Sequence, residues 1–173
     1  AWIDILGATM LGRTPIFADT YRDKHLANAS AGLAELMGCE DRVMFLISEI
    51  ACLEALKLDG MQEMQLCAHI AMLGEQISLS EPAPGTLANV YSPNGAIRPK
   101  QLSKNITAVY RLAARIYLCS LVPDFDRHGT MISNLVVALT DAMEYIPAGT
   151  DGFDRSLVWP LLVAGSVSVP GSS

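Results

Sequence analysis

Residues 100–123, KQLSKNITAVYRLAARIYLCSLVP, constrain the fold more than any other part of the chain. Apolar residues recur there at alternating spacings of four and three, which is the pattern of one buried helix face. The members of this stripe are Leu102, Ile106, Val109, Ala113, Ile116 and Ser120. Four further residues widen the apolar side: Tyr110, Leu112, Tyr117 and Leu118. We therefore predict a helix over about 100–121 that is buried on most of its circumference and stops before Pro123.

The narrow polar strip of this helix carries cations, because Lys104, Arg111 and Arg115 share one face. A helix that reads DNA would have more Lys and Arg and fewer apolar residues. The 173-residue chain has a net charge of −6, whereas duplex binding relies on cations placed against phosphates. We expect both arginines to lie at the edge of a core helix, pairing with carboxylates or capping carbonyls. We expect no binding of DNA or of anionic membranes by this chain itself.

Helical spacing predicts six further helices, over about 2–11, 16–37, 42–58, 61–78, 130–145 and from Phe153 onward. Gly38 is the expected end of the second helix, and Asp41 is the expected cap of the third. A turn over 147–152 precedes the last helix, which we expect to be kinked at Pro160. No alternating strand pattern of useful length occurs. We predict one all-α domain over 1–173, with about seven helices in a bundle or a solenoid-like stack.

Residues 80–99, SEPAPGTLANVYSPNGAIRP, interrupt the helical pattern. The segment holds Pro82, Pro84, Pro93 and Pro99 and shows no helical period. Connections of this length inside a domain are usually functional or mobile. We predict a long internal loop that is more mobile than the helices and is the best candidate for a regulatory surface.

No group of residues in the sequence predicts catalysis or metal binding. The three histidines are widely spaced, and Cys39, Cys52, Cys67 and Cys119 form no CxxC pair. Nucleophile-elbow and phosphate-loop motifs are absent. We predict no catalytic, cofactor-binding or metal site, and we expect that the chain is not an enzyme.

The apolar content of the chain is higher than a free-standing domain requires. Apolar residues make up 51% of the chain and charged residues only 17%. We expect the surplus apolar surface to be covered by a partner or by flanking sequence, with the chain a fragment of a longer protein. The sequence therefore favours an interaction module.

Three stretches carry a resemblance to a known family: GCEDRVMFLISEIACLEALK, KNITAVYRLAARIYLCSLVP and GFDRSLVWPLLVAGS. Together they resemble the fungal-specific transcription factor domain, the regulatory region C-terminal to the zinc binuclear cluster of fungal regulators. The subgroup they resemble most is that of regulators of sexual development and cell fusion in filamentous ascomycetes. The resemblance covers essentially the whole chain. Its hallmark positions are Arg111, Arg115, Trp159 and Pro160.

The resemblance implies a nuclear regulator whose all-helical domain modulates transcription through contacts with other proteins or with a second copy. It assigns DNA binding and zinc to a separate N-terminal module with six cysteines, which the four scattered cysteines here cannot form. It carries no catalytic residues, so a structural role is expected for the hallmark positions. One alternative stays open, namely a small-molecule sensor with an apolar pocket that the eight methionines help to line.

Overall fold

The computed structural model describes residues 1–149 and 152–168. Residues 150–151, inside the predicted 147–152 turn, and residues 169–173 lie outside this range. The described residues form eight α-helices and a 3₁₀ helix, Asp154–Leu157, which confirms the all-α prediction. The α-helices are α1 Trp2–Leu11, α2 Ala18–Leu26, α3 Leu33–Met37, α4 Asp41–Leu58, α5 Glu63–Leu79, α6 Pro99–Ser120, α7 Thr130–Met143 and α8 Val158–Val167.

Helix α6 is the central element of the fold, because α4, α5, α7 and α8 all pack against it. The predicted apolar stripe is buried, with Ile106, Val109 and Ile116 at most 1% exposed. Burial of such side chains contributes about 1.5–3 kcal/mol each. The helices therefore form a bundle around one buried axis.

The single helix predicted over 16–37 is wrong in its middle. Residues 27–32 separate α2 from α3, which raises the number of helices above the predicted seven. Asn28 has φ of 48° and Gly32 has φ of 72°, and neither value fits a right-handed helix. The apolar spacing continued across this break because both short helices face the same core. Gly38 does end α3, with φ of 75°, as the sequence predicted.

Asp41 does not cap its own helix. The residue preceding α4 is Glu40, and no side chain caps that end. The Asp41 carboxylate instead accepts hydrogen bonds from the backbone N–H groups of Ala31 (2.6 Å) and Leu33 (2.9 Å). Asp41 thus stabilises the start of the neighbouring helix α3, where free N–H groups favour an anion.

Asp4 has a similar role at the other end of the bundle. Its carboxylate accepts hydrogen bonds from the backbone N–H groups of Ile16 (2.9 Å) and Phe17 (3.1 Å) and from the Tyr21 hydroxyl (2.9 Å). Burial acts to raise the pKa of Asp4, but these hydrogen bonds outweigh it and hold the pKa below its ordinary value. The carboxylate therefore ties α1 to the start of α2.

The last helix differs from the prediction at Pro160. The 3₁₀ helix ends at Leu157 and α8 begins at Val158, so Pro160 lies in the first turn of α8. An N–H group in the first helical turn has no intrahelical partner, so proline loses little there. Pro160 accordingly lies at the start of a helix, and the predicted kink is replaced by a junction between a 3₁₀ helix and an α-helix.

None of the helices in the described ranges is both long enough and apolar enough to cross a membrane.

Candidate functional site

The four residues that the family resemblance singled out lie on two sides of α6. Arg111 and Arg115 face the C-terminal end of α5 and the segment that follows it. Trp159 and Pro160 belong to α8, on the side where α1 and α8 meet. The structure therefore brings these residues together in pairs, and the two pairs form separate surfaces.

Arg115 binds the end of α5. Its Nη2 donates to the Ser78 hydroxyl at 3.1 Å and to the Glu81 carboxylate. A cation at this place also interacts favourably with the negative end of the α5 dipole. Arg115 thus makes the carboxylate pairing expected for an arginine at the edge of a core helix.

Arg111 has different surroundings, although it lies only one turn away. Its side chain is only 7% exposed, and its Nε donates to the Ser80 hydroxyl at 3.1 Å. Among the described residues it forms no ion pair, and its terminal Nη nitrogens make no hydrogen bond to protein. Burial lowers the pKa of Arg111, against the opposing influence of Glu40, Cys39 and Glu81. Arg111 is therefore a buried cation without a partner anion in this part of the chain.

A cleft of about 400 Å³ opens beside the two arginines, between α6 and residues 81–87. We call it the Arg111 cleft. Its remaining walls are largely apolar and include Pro82, Leu87 and Leu112. The sequence predicted a cationic edge on α6, but it did not predict that residues 80–87 would lie over that edge and enclose it.

The segment between α5 and α6, residues 80–98, is fastened to α6 by polar side chains. The amide of the fully buried Asn105 donates to the carbonyls of Ala88 (2.8 Å) and Tyr145 (3.0 Å). The Gln101 amide donates to the carbonyl of Thr86 at 2.7 Å. These contacts hold the middle of the loop, while its mobility relative to the helices remains a prediction. Sequence reasoning missed Asn105. A signal was nevertheless present, because a residue that follows Lys104 lies about 100° further around α6 and therefore outside the polar strip.

Trp159 joins three helices on the opposite side of α6. Its indole Nε1 donates to the Thr9 hydroxyl of α1 at 2.7 Å. Its ring stacks on Tyr110, with centroids 5.8 Å apart, and meets Tyr117 edge-on at 6.2 Å. A tryptophan that is 4% exposed and satisfies its N–H in this way packs as a core residue.

Pro160 lies four residues after the acceptor of a Tyr110 hydrogen bond that sequence reasoning missed. Proline has no N–H, so Pro160 cannot donate to the carbonyl of Ser156, four residues earlier. The Tyr110 hydroxyl donates to that carbonyl instead. The signal for this contact was present in the sequence, because a tyrosine on a buried helix face needs a partner for its hydroxyl.

An apolar groove of about 250 Å³ lies between α1 and α8 and is called here the α1–α8 groove. Large apolar side chains on its rim are strongly exposed: Ile3 (69%), Met10 (57%), Val158 (54%) and Leu162 (49%). The other residues that line it are Trp2, Leu6, Gly7, Met37, Tyr110, Arg155 and Trp159. Among these described residues, Arg155 alone is charged. Exposed apolar patches of this kind are typical of interaction sites.

Within residues 1–149 and 152–168, no three His, Cys, Asp or Glu side chains come together as metal ligands. The four cysteines are free thiols; Cys39 and Cys52 are buried, and Cys67 is exposed. Burial raises the pKa of the Cys39 thiol, which disfavours the reactive thiolate. This part of the chain therefore offers no donor set that would suit a zinc cluster.

Comparison with known proteins gives one matching family and two relatives. The family is described as the fungal specific transcription factor domain, and it matches residues 1–173. The chain is 62% identical to the transcriptional regulatory protein pro1 of Neurospora crassa, over 100% of this chain and 25% of that protein. It is 25% identical to the transcription factor dibT of Pestalotiopsis microspora, over 98% of this chain and 30% of that protein. The chain thus spans only about a quarter to a third of either relative. No solved structure matches it.

Proposed function

Because the chain belongs to the fungal-specific transcription factor domain family, we propose that it regulates transcription through protein contacts, without binding DNA itself. The family resemblance drawn from the sequence is confirmed, and membership of this family supports a role in transcriptional regulation. The finer proposal is a nuclear zinc-cluster protein whose DNA-binding module and zinc lie outside this chain. We also propose control of sexual development, which the subgroup resemblance implies.

The α1–α8 groove is the observation that carries the proposal of protein contacts. It is bounded by two helices and lined by apolar side chains, and among the described residues that line it only Arg155 is charged. Grooves of this kind bind amphipathic helices, whose apolar residues recur at i, i+3, i+4 and i+7. Since the charge that Arg155 brings to the groove is positive, the proposed partner is an amphipathic helix with acidic residues beside its apolar face.

The charge of the chain supports the second part of the proposal. The net charge of −6 repels the DNA backbone, and the hallmark arginines do not form a cationic surface. Arg111 is buried, and Arg115 is paired with Glu81. We expect no shift of a duplex oligonucleotide by this chain in a gel mobility assay; a tight, salt-sensitive shift would contradict the proposal.

Two glycines provide a matched pair of variants for testing the groove. Gly7 lines the groove within α1, and a Cβ built on it meets no atom within 4 Å. Gly165 in α8 is equally open but does not line the groove. Replacing a helical glycine by Gln removes a poor helix former, so both Gly7→Gln and Gly165→Gln should fold at least as stably as the wild type. Only Gly7→Gln puts a side chain into the groove.

The probe is a fluorescent 18-residue amphipathic helix with a leucine face flanked by Glu, compared with the same helix flanked by Lys. We expect the acidic helix to raise fluorescence anisotropy with the wild type and with Gly165→Gln, and to bind Gly7→Gln about tenfold or more weakly. Equal binding of the acidic and basic helices would contradict the charge argument. Loss of binding in both variants would contradict the proposed occupant. Dimerisation of the wild type that only Gly7→Gln abolishes would also contradict it and would assign the groove to a second copy of the chain.

One observation favours a second function, the sensing of a small molecule. The Arg111 cleft lies next to a buried guanidinium that has no anionic partner among the described residues. Its volume of about 400 Å³ falls within the range of about 300–1,000 Å³ that is common for small-molecule sites.

A further inference from the structure

We infer that the Arg111 cleft binds a monocarboxylate with an apolar body, whose carboxylate lies against the guanidinium of Arg111. This inference rests on the second proposed function, the sensing of a small molecule, and names the chemical class of that molecule.

Burial of the Arg111 cation is costly unless an anion compensates for it. Arg111 as a whole residue is only 7% exposed, so its guanidinium loses part of its hydration, and proteins normally compensate a buried cation with a paired anion and hydrogen bonds. Two of the more exposed arginines have such partners: Arg22 pairs with Asp19 and Glu49, and Arg115 pairs with Glu81. Arg111, the most buried of the three, has only the Ser80 hydroxyl on its Nε. An anion in the cleft would supply the missing partner.

The geometry of the donors indicates a planar anion. Arginine presents its N–H groups in a rigid fork, and the terminal nitrogens of Arg111 keep their four N–H groups free of protein acceptors in the described ranges. A carboxylate matches this fork with two parallel hydrogen bonds. Because the Ser80 hydroxyl fixes Nε, the guanidinium is held in one orientation before the ligand binds.

The local charge favours a single negative charge over two. Of the two arginines that line the cleft, Arg115 is neutralised by Glu81, which leaves the charge of Arg111. Glu40 lies near enough to influence Arg111 and would repel a dianion such as a phosphate monoester. The side chains of Pro82, Leu87 and Leu112 provide an apolar surface for the rest of the molecule.

The test is calorimetric titration of the chain at pH 7 with octanoate, 1-octanol and inorganic phosphate. We expect octanoate to bind about tenfold or more tightly than 1-octanol, and phosphate to bind weakly or not at all. Arg111→Met keeps an apolar stem of similar length and should abolish the preference for octanoate. Arg111→Lys keeps the charge but loses the fork, so it should retain only part of the preference. The matched control is Arg127→Gln, which removes the same charge from an exposed turn and should bind as the wild type does.

Failure of the ligand class and failure of the sensing function give different results. Equal binding of octanoate and 1-octanol would show that the cleft takes small apolar molecules and would overturn the carboxylate assignment alone. Absence of binding by all three probes would overturn both. A preference for octanoate that survives in Arg111→Lys and Arg111→Met alike would also overturn the role of Arg111. If Arg111→Met fails to fold, comparison of Arg111→Lys with Arg127→Gln still decides the question.

Discussion

Replacing Tyr110 by Phe removes one hydroxyl and leaves the ring stack with Trp159 in place. The hydroxyl donates to the Ser156 carbonyl, which lacks its usual helical donor because residue 160 is proline. If this account is correct, the effect of Tyr110→Phe depends on which residue stands at position 160. A double-mutant cycle with Pro160→Ala therefore tests why a tyrosine and a proline are found together at this junction.

The expected magnitude follows from the burial of the site. Tyr110 is 1% exposed, and leaving a buried carbonyl without a partner costs about 1–3 kcal/mol. In the Pro160→Ala background, residue 160 gains an N–H one turn after Ser156, and this N–H can replace the lost donor. We then expect Tyr110→Phe to cost only about 0.5–1 kcal/mol. The coupling between the two substitutions should be about 1 kcal/mol.

The four proteins of the cycle are compared by urea denaturation followed by far-UV circular dichroism. Independent sites add within about 0.3–0.5 kcal/mol, so a coupling of 1 kcal/mol is measurable. Any general loss of packing caused by Pro160→Ala cancels in the cycle. A coupling of zero within error would refute the argument that Tyr110 compensates for the missing N–H of Pro160.

Three further substitutions test other parts of the fold. Because the pKa of Asp4 is held below its ordinary value, Asp4→Asn should lower the free energy of unfolding by about 1–2 kcal/mol at pH 7. That loss of unfolding free energy should be constant above about pH 4 and shrink below it, because the stabilisation by Asp4 disappears as pH falls through its lowered pKa. A difference between the urea midpoints of the two proteins that does not change with pH would contradict this. A Cβ on Gly38, where φ is 75°, would lie 2.6 Å from Ile106 Cδ1. Gly38→Ala should therefore lower the free energy of unfolding by about 1–3 kcal/mol, measured by thermal denaturation. An unchanged melting temperature would contradict the close packing. Asn105→Ala should cost about 2–3 kcal/mol and speed hydrogen exchange in residues 86–90; exchange that stays at the wild-type rate would show that Asn105 does not hold the loop.

Periodicity in the sequence was enough to identify the central element of the fold. The stripe in α6 is long and continuous, so its burial could be predicted without knowledge of its neighbours. The break at 27–32 could not be predicted in this way, because apolar spacing reports which face is buried and not whether the backbone stays helical. Asn28 adopts a left-handed conformation, and the backbone N–H groups of Ala31 and Leu33 after it bond to the carboxylate of Asp41, a contact that helical spacing does not report.

The candidate sites were harder to predict than the helices, since they depend on contacts between distant segments. The sequence indicated that the arginines of α6 lie at the cationic edge of a core helix. The cleft beside Arg111 also requires residues 80–87, which show no helical period in the sequence. The α1–α8 groove joins the first and last helices, so no local pattern indicates it. The surplus of apolar residues did predict that such a surface should exist.

Transcript level and chromatin occupancy, recorded in the same cells for the regulator that carries this domain, test whether the domain regulates through protein contacts. The variants are Gly7→Gln, which fills the α1–α8 groove, and Gly165→Gln, which does not. The account predicts that Gly7→Gln changes transcription of the target genes while occupancy of their promoters stays at the wild-type level, and that Gly165→Gln changes neither. Loss of occupancy in Gly7→Gln, or transcription that is the same in both variants, would contradict the claim that this domain regulates through protein contacts at the groove.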